Sequence, residues 1–189
     1  MESKTFYLDT NALIELSGLS EADFRLLKTC LNESNTKLCF SHIQVDEKYN
    51  REHPNYQEKI NKAKRELNKH RIDVLIEPTK GGTFGIFRLG YATYGIGKSE
   101  NQRELDEIYQ KLKMEIRKCM DEKGKWSVSD DEESKGRDTA KDARIGITSL
   151  DHDYFVTCDY CLHECWKKII ENPLNSRLWK KTISRFQES

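Results

Sequence analysis

A chain of 189 residues is long enough for one domain with its own core and short for two. Its 32 basic and 32 acidic residues cancel, which excludes capture of nucleic acid by overall charge and leaves that task to a local basic patch. No apolar run approaches the roughly 20 residues that span a bilayer, and a hydrophobic fraction of 36% beside 34% charged residues fits a soluble, helix-rich protein with an economical core.

In chain order, Thr5-Phe6-Tyr7-Leu8 reads as a short strand that stops at Asp9, and Ala12 to Leu16 has helical character. Ser20 with Asp23 predicts a helix start, with Leu19 and Phe24 as a hydrophobic staple, and a helix to about Glu33. Lys37 to Phe40 is the second strand. Ser41 with Gln44 is a capping box that opens a helix carrying Glu47. Pro54 ends that helix and starts a basic one, to about His70. Ile72 to Ile76 is a third strand.

Between Gly81 and Gly97 glycines alternate with Phe84, Phe87, Tyr91 and Tyr94, which reads as a hairpin or an ordered loop. These aromatics suit stacking on unpaired bases, but covering the core fits them at least as well. Ser99 with Gln102 opens a long charged helix ending near Gly124, and Asp130 to Ser134 reads as a polar loop. Asp138 to Leu150 is helical, Tyr154 to Thr157 is a strand, and Leu162 to Ile170 is helical again. A last helix is expected after Pro173. Strands alternating with helices predict a three-layer α/β/α fold around a central parallel sheet. Residues 1–189 are expected to form a single domain, with 78–135 as an inserted or elaborated segment.

The N-terminus turns acidic where an export signal would be apolar, so no signal is expected. Six cysteines in such a chain are expected as reduced thiols, and the compartment as cytoplasmic. Cys158, Cys161, His163 and Cys165 lack the second separated ligand pair of a zinc site, so packing cysteines are expected there.

The chemistry-bearing residues are acids. Asp9 ends the first strand and Asp159 follows the last, and carboxyl ends of parallel strands line the ligand crevice. Glu47 lies in the helix after the second strand, and Asp142 in the expected first turns of the helix before the last. Like charges gathered there call for a cation, and oxygen-only ligands select Mg²⁺ or Mn²⁺. Asp138 shares a helix face with Asp142 and suits a helix cap or a further ligand. Thr10, Asn11 and Thr157 stand beside the strand ends, where they can position water or phosphate oxygens. The basic helix, with Lys62, Arg65 and Lys69, is by default a solvated face and in a nuclease a track for phosphates.

Phe6-Tyr7-Leu8-Asp9-Thr10-Asn11 resembles the opening of a PIN domain. Ser41 to Glu47 is similar to the second motif of that family, Asp142 to Thr148 to the third, and Val156-Thr157-Cys158-Asp159 to the fourth, in the right order. Arg144 stands where the family usually carries an apolar residue. The resemblance implies a Rossmann-like fold and a Mg²⁺- or Mn²⁺-dependent nuclease, commonly an endoribonuclease acting on single-stranded or structured RNA. By motif, Asp9, Glu47, Asp142 and Asp159 take the places of the metal-binding acids, and two cations would clamp one phosphate while water attacks in line. Many relatives are toxins of toxin–antitoxin pairs. An antitoxin or other protein partner and a homodimer are therefore candidate partners, and no membrane is.

Rival readings are weaker. A haloacid-dehalogenase-type phosphatase needs a second aspartate where this chain has Asn11, and the acid pair and lysine of a receiver domain are not clear here. A PIN-like scaffold that binds RNA or protein without cutting ranks second, because all four acids are present.

Overall fold

The computed structural model describes residues 3–46, 55–77, 100–126 and 131–170. The elements are β1 (Lys4–Leu8), α1 (Thr10–Glu15), α2 (Glu21–Glu33), β2 (Thr36–Ser41), α3 (His42–Asp46), α4 (Tyr56–Lys69) and β3 (Val74–Glu77), then α5 (Glu100–Glu122), α6 (Glu132–Thr148), β4 (Tyr154–Val156) and α7 (Tyr160–Ile170). By contacts the chain groups into two compact units. One runs Met1–Glu77 with His152–Cys158, and the other Pro78–Asp151 with Asp159–Ser189.

The first unit holds the sheet. Its four strands are all parallel, in the order β3-β2-β1-β4. From β1 the chain winds outward to β2 and β3, then returns to pair β4 on the free side of β1. The strand order therefore reverses between β1 and β4, and that reversal is where open α/β sheets bind ligands. Period-two alternation places Phe6, Leu8, Leu38, Phe40, Val74 and Val156 against one core with Phe24 and Leu31 of α2 and Tyr56, Ile60, Ala63 and Leu67 of α4. On the opposite pleat Tyr7 and Cys39 are fully buried, and the Tyr7 ring stacks on His152 at 4.8 Å.

Local chemistry explains the element starts. Ser20 and Asp23 form the expected capping box on α2, and the Ser20 hydroxyl and N–H hold the Asp23 carboxyl below its ordinary range. After α2 the chain turns through Asn35, at φ 49°, a left-handed conformation that asparagine tolerates. Gln44 is fully buried. Its side-chain oxygen accepts from the Ser41 N–H at 2.9 Å, and its amide donates to the Leu8 carbonyl at 2.9 Å and to the Tyr7 hydroxyl at 3.2 Å. The Gln44 side-chain half of the predicted capping box thus also fastens the end of β2 to the end of β1.

The described part of the second unit is helical, with α5 packed on α6 and α7. Gly146 of α6 marks a close approach. A Cβ there would stand 2.6 Å from Leu112 of α5 and 3.3 Å from Trp166 of α7. Arg144, where the family resemblance suggests an apolar residue, is 2% exposed and lies over the Tyr109 ring of α5 at 4.7 Å.

Two sequence expectations are corrected here. Asp130 to Ser134 is not wholly a polar loop, because α6 begins at Glu132 and Asp131 caps it, accepting from the Ser134 N–H at 2.8 Å. Glu132 and Glu133 then favour the positive end of the helix dipole. The second correction concerns the cysteines. Cys119 of α5 and Cys161 of α7 form a disulfide, so the six are not all free thiols.

The α/β class with a central parallel sheet flanked by helices is the one the sequence predicts, consistent with the three-layer expectation. Among the described residues no helix is long and apolar enough to cross a membrane. The glycine–aromatic stretch 81–97, the Ser99 cap and the tail after Pro173 lie outside the described residues.

Candidate functional site

Strand β1 ends with its carboxyl edge at the sheet's reversal point, and the next residue is Asp9. The Asp9 backbone N–H still belongs to the sheet, donating to the Val156 carbonyl of β4 at 2.9 Å. Its side chain turns to the helix that follows. One carboxylate oxygen accepts from the Ala12 N–H at 2.6 Å as the N-cap of α1, and the other accepts from the Thr157 hydroxyl, just past β4. Asp9 is 2% exposed. Burying a carboxylate is costly unless donors or a cation compensate it, and these two hydrogen bonds are part of that compensation.

Thr10 and Asn11 follow in the first turn of α1 and are buried, while Thr157 is half-buried. The structure therefore brings together four sequence candidates, Asp9, Thr10, Asn11 and Thr157, at the junction of β1, β4 and α1. Gln44 holds the same strand end from α3.

Asp159 also caps a helix. One carboxylate oxygen accepts from the Leu162 N–H of α7 at 2.7 Å, and the other lies 3.9 Å from the Lys125 ammonium. The lysine is delivered by the end of α5. Gly124 takes a left-handed φ of 60°, which lets the Lys125 N–H return to the Met120 carbonyl at 3.0 Å and closes the helix. Lys125 is a partner that sequence spacing gave no means of finding.

Asp142 stands in the middle of α6 and not in its first turns, because the helix starts earlier than predicted; it is half-buried. Asp138, one turn before it, is inside the helix and is not its cap; its carboxylate lies 3.7 Å from the Lys141 ammonium. Glu47 lies outside the described residues. Among the described residues, no group of three or more His, Cys, Asp or Glu side chains is gathered as a metal cluster.

On α4 the face opposite Tyr56, Ile60, Ala63 and Leu67 carries exposed Lys62, Arg65 and Lys69. Lys69 is held by Glu21 at 3.0 Å and lies 3.7 Å from Glu66, so one of the three charges is already partnered by acids.

Comparisons with protein-family models, curated proteins and solved structures match nothing.

Proposed function

We propose that the protein is a divalent-metal-dependent nuclease of PIN-like type, an endoribonuclease working in the cytosol. The observation that supports this reading best is Asp9. It is a buried carboxylate at the carboxyl end of the central strand, beside the point where strand order reverses, oriented by the Ala12 N–H and the Thr157 hydroxyl. Its surroundings supply oxygen donors, which suit Mg²⁺ or Mn²⁺ better than a soft ion.

The reading makes Asp9, Glu47, Asp142 and Asp159 the cation ligands, as the four motifs imply. Bound cations would supply Lewis-acid stabilisation of charge on the scissile phosphate. The chain's own part is positional. Thr157 fixes the rotation of the Asp9 carboxylate, Gln44 fixes the strand end that carries it, and Thr10 and Asn11 offer hydroxyl and amide groups beside it. Lys62 and Arg65 on α4 are exposed for contact with the phosphate backbone.

The second reading is a non-catalytic RNA- or protein-binding scaffold of the same fold. The Lys125–Asp159 pair favours it, because a carboxylate already facing an ammonium is a weaker cation ligand. A cleavage assay on mixed single-stranded RNA with Mn²⁺, run beside excess chelator, separates the two. The nuclease reading expects products only with the metal. Binding without cleavage in Mg²⁺ and Mn²⁺ establishes the scaffold.

A further inference from the structure

The start of α7 is gripped by the end of α5 at three successive residues. Asp159 faces Lys125 at 3.9 Å, the Tyr160 ring lies under the Lys123 ammonium at 4.9 Å, and Cys161 is bonded to Cys119. Two of these contacts are partly exposed and electrostatic, and such pairs are individually weak. The disulfide is the strong member. It closes a separation of 42 residues, with its Cα atoms 5.7 Å apart, inside the normal range for a disulfide.

We propose that Cys119 and Cys161 are a reversible thiol–disulfide clamp that fixes the first turn of α7, the turn capped by Asp159, to the end of α5. Its partner is a low-molecular-weight thiol of the glutathione class. The two cysteines differ in access: Cys119 is half-buried and Cys161 fully buried, so an incoming thiolate meets the Cys119 sulfur first. That attack forms a mixed disulfide on Cys119 and releases Cys161 as the thiolate, which takes up a proton. A second thiol then attacks the mixed disulfide. Cys119 leaves as the thiol, and the small molecule leaves as its own disulfide. Two electrons and two protons enter the protein, and two small thiols are oxidised to one disulfide.

Cys165, one turn along α7, is the internal competitor. It is buried, and burial pushes its thiol up to about 11, which leaves almost no thiolate to attack a neighbouring disulfide near neutral pH. Cys165 is therefore a poor competitor, and exposed Cys158, three residues before Cys161, is the thiol whose pairing peptide mapping has to distinguish. The clamp does not depend on the functional reading above.

The test is redox titration of the folded full-length chain in glutathione buffers, from fully reduced to fully oxidised, with acid quench, maleimide labelling and peptide mass mapping. Cys119 and Cys161 are expected to lose and regain label together, while Cys165 stays a thiol throughout. Cys119→Ser should leave Cys161 labelled in every buffer, and Cys165→Ser should titrate like the wild type. The oxidised form should melt on the order of 5–10 °C higher. Amide exchange at Tyr160 to Leu162 should be slower in it. The proposal is overturned if the pair never forms in oxidised glutathione, or if it survives full reduction in the folded protein. It is also overturned if Cys161 pairs with another cysteine, or if exchange at the start of α7 is the same in both forms.

Discussion

Asp9 and Asp159 both follow a strand of the parallel sheet, and both accept a backbone N–H as the cap of the next helix. They differ in what meets the second carboxylate oxygen. At Asp9 it is the neutral Thr157 hydroxyl, at a position 2% exposed. At Asp159, whose side chain is 21% exposed, it is the Lys125 ammonium. The comparison teaches that an aspartate at a strand–helix junction is explained by capping alone. Any further chemistry has to be argued from the remaining oxygen. In the proposed function, Asp9 is the ligand with the neutral neighbour and Asp159 the one that faces an ammonium.

The largest effect expected from this difference is on cleavage. Asp9→Asn keeps the cap, since asparagine serves as well there, and removes the charge. Metal-dependent activity should fall by about 10³-fold, with the melting temperature nearly unchanged. Activity retained in this variant would reduce Asp9 to a cap like any other. Next comes Gln44→Leu, which strips partners from the buried Leu8 carbonyl and the Ser41 N–H. Chemical denaturation should show a loss of about 2–3 kcal/mol. A smaller loss would mean that the β1 end is not held from α3.

Thr157→Val removes one donor to the Asp9 carboxylate and should cost about 1–2 kcal/mol. It should also weaken the apparent affinity for Mn²⁺ in the cleavage assay, because the carboxylate then rotates more freely. On the other side of the comparison, Lys125→Met should change stability by less than about 1 kcal/mol, the range of part-exposed ion pairs. By removing the ammonium that faces Asp159, it should tighten Mn²⁺ several-fold. Weaker Mn²⁺ binding in that variant would show that the lysine assists the site instead of competing with it.

The sheet and most helices were legible because their signals are local. The apolar run Thr5 to Leu8 reported a strand, Ser20 with Asp23 a helix start, and Pro54 with the basic run after it the helix α4. The start of α6 was missed although its signal is also local. Asp131 three residues before Ser134, with acids in the first turn, is a capping pattern, but the run of charges reads as solvated loop. That misreading moved Asp142 from mid-helix to a helix start. The Cys119–Cys161 bond had no local signal, since residues 42 apart meet only through the packing of α5 on α7. Lys125 beside Asp159 was hidden for the same reason. It depends on the left-handed turn at Gly124 and on a tertiary contact that charge counting does not reveal.

The central claim is that this chain's carboxylates hold a hard cation, and direct Mn²⁺ binding to the full-length protein tests it most directly. Titration followed by the loss of the free-ion paramagnetic resonance signal should show saturable binding that Mg²⁺ displaces. Asp9→Asn and Asp142→Asn should each abolish that binding while the circular dichroism spectrum stays the same. Wild-type protein that leaves the free Mn²⁺ signal untouched, or variants that bind as tightly as the wild type, would contradict it.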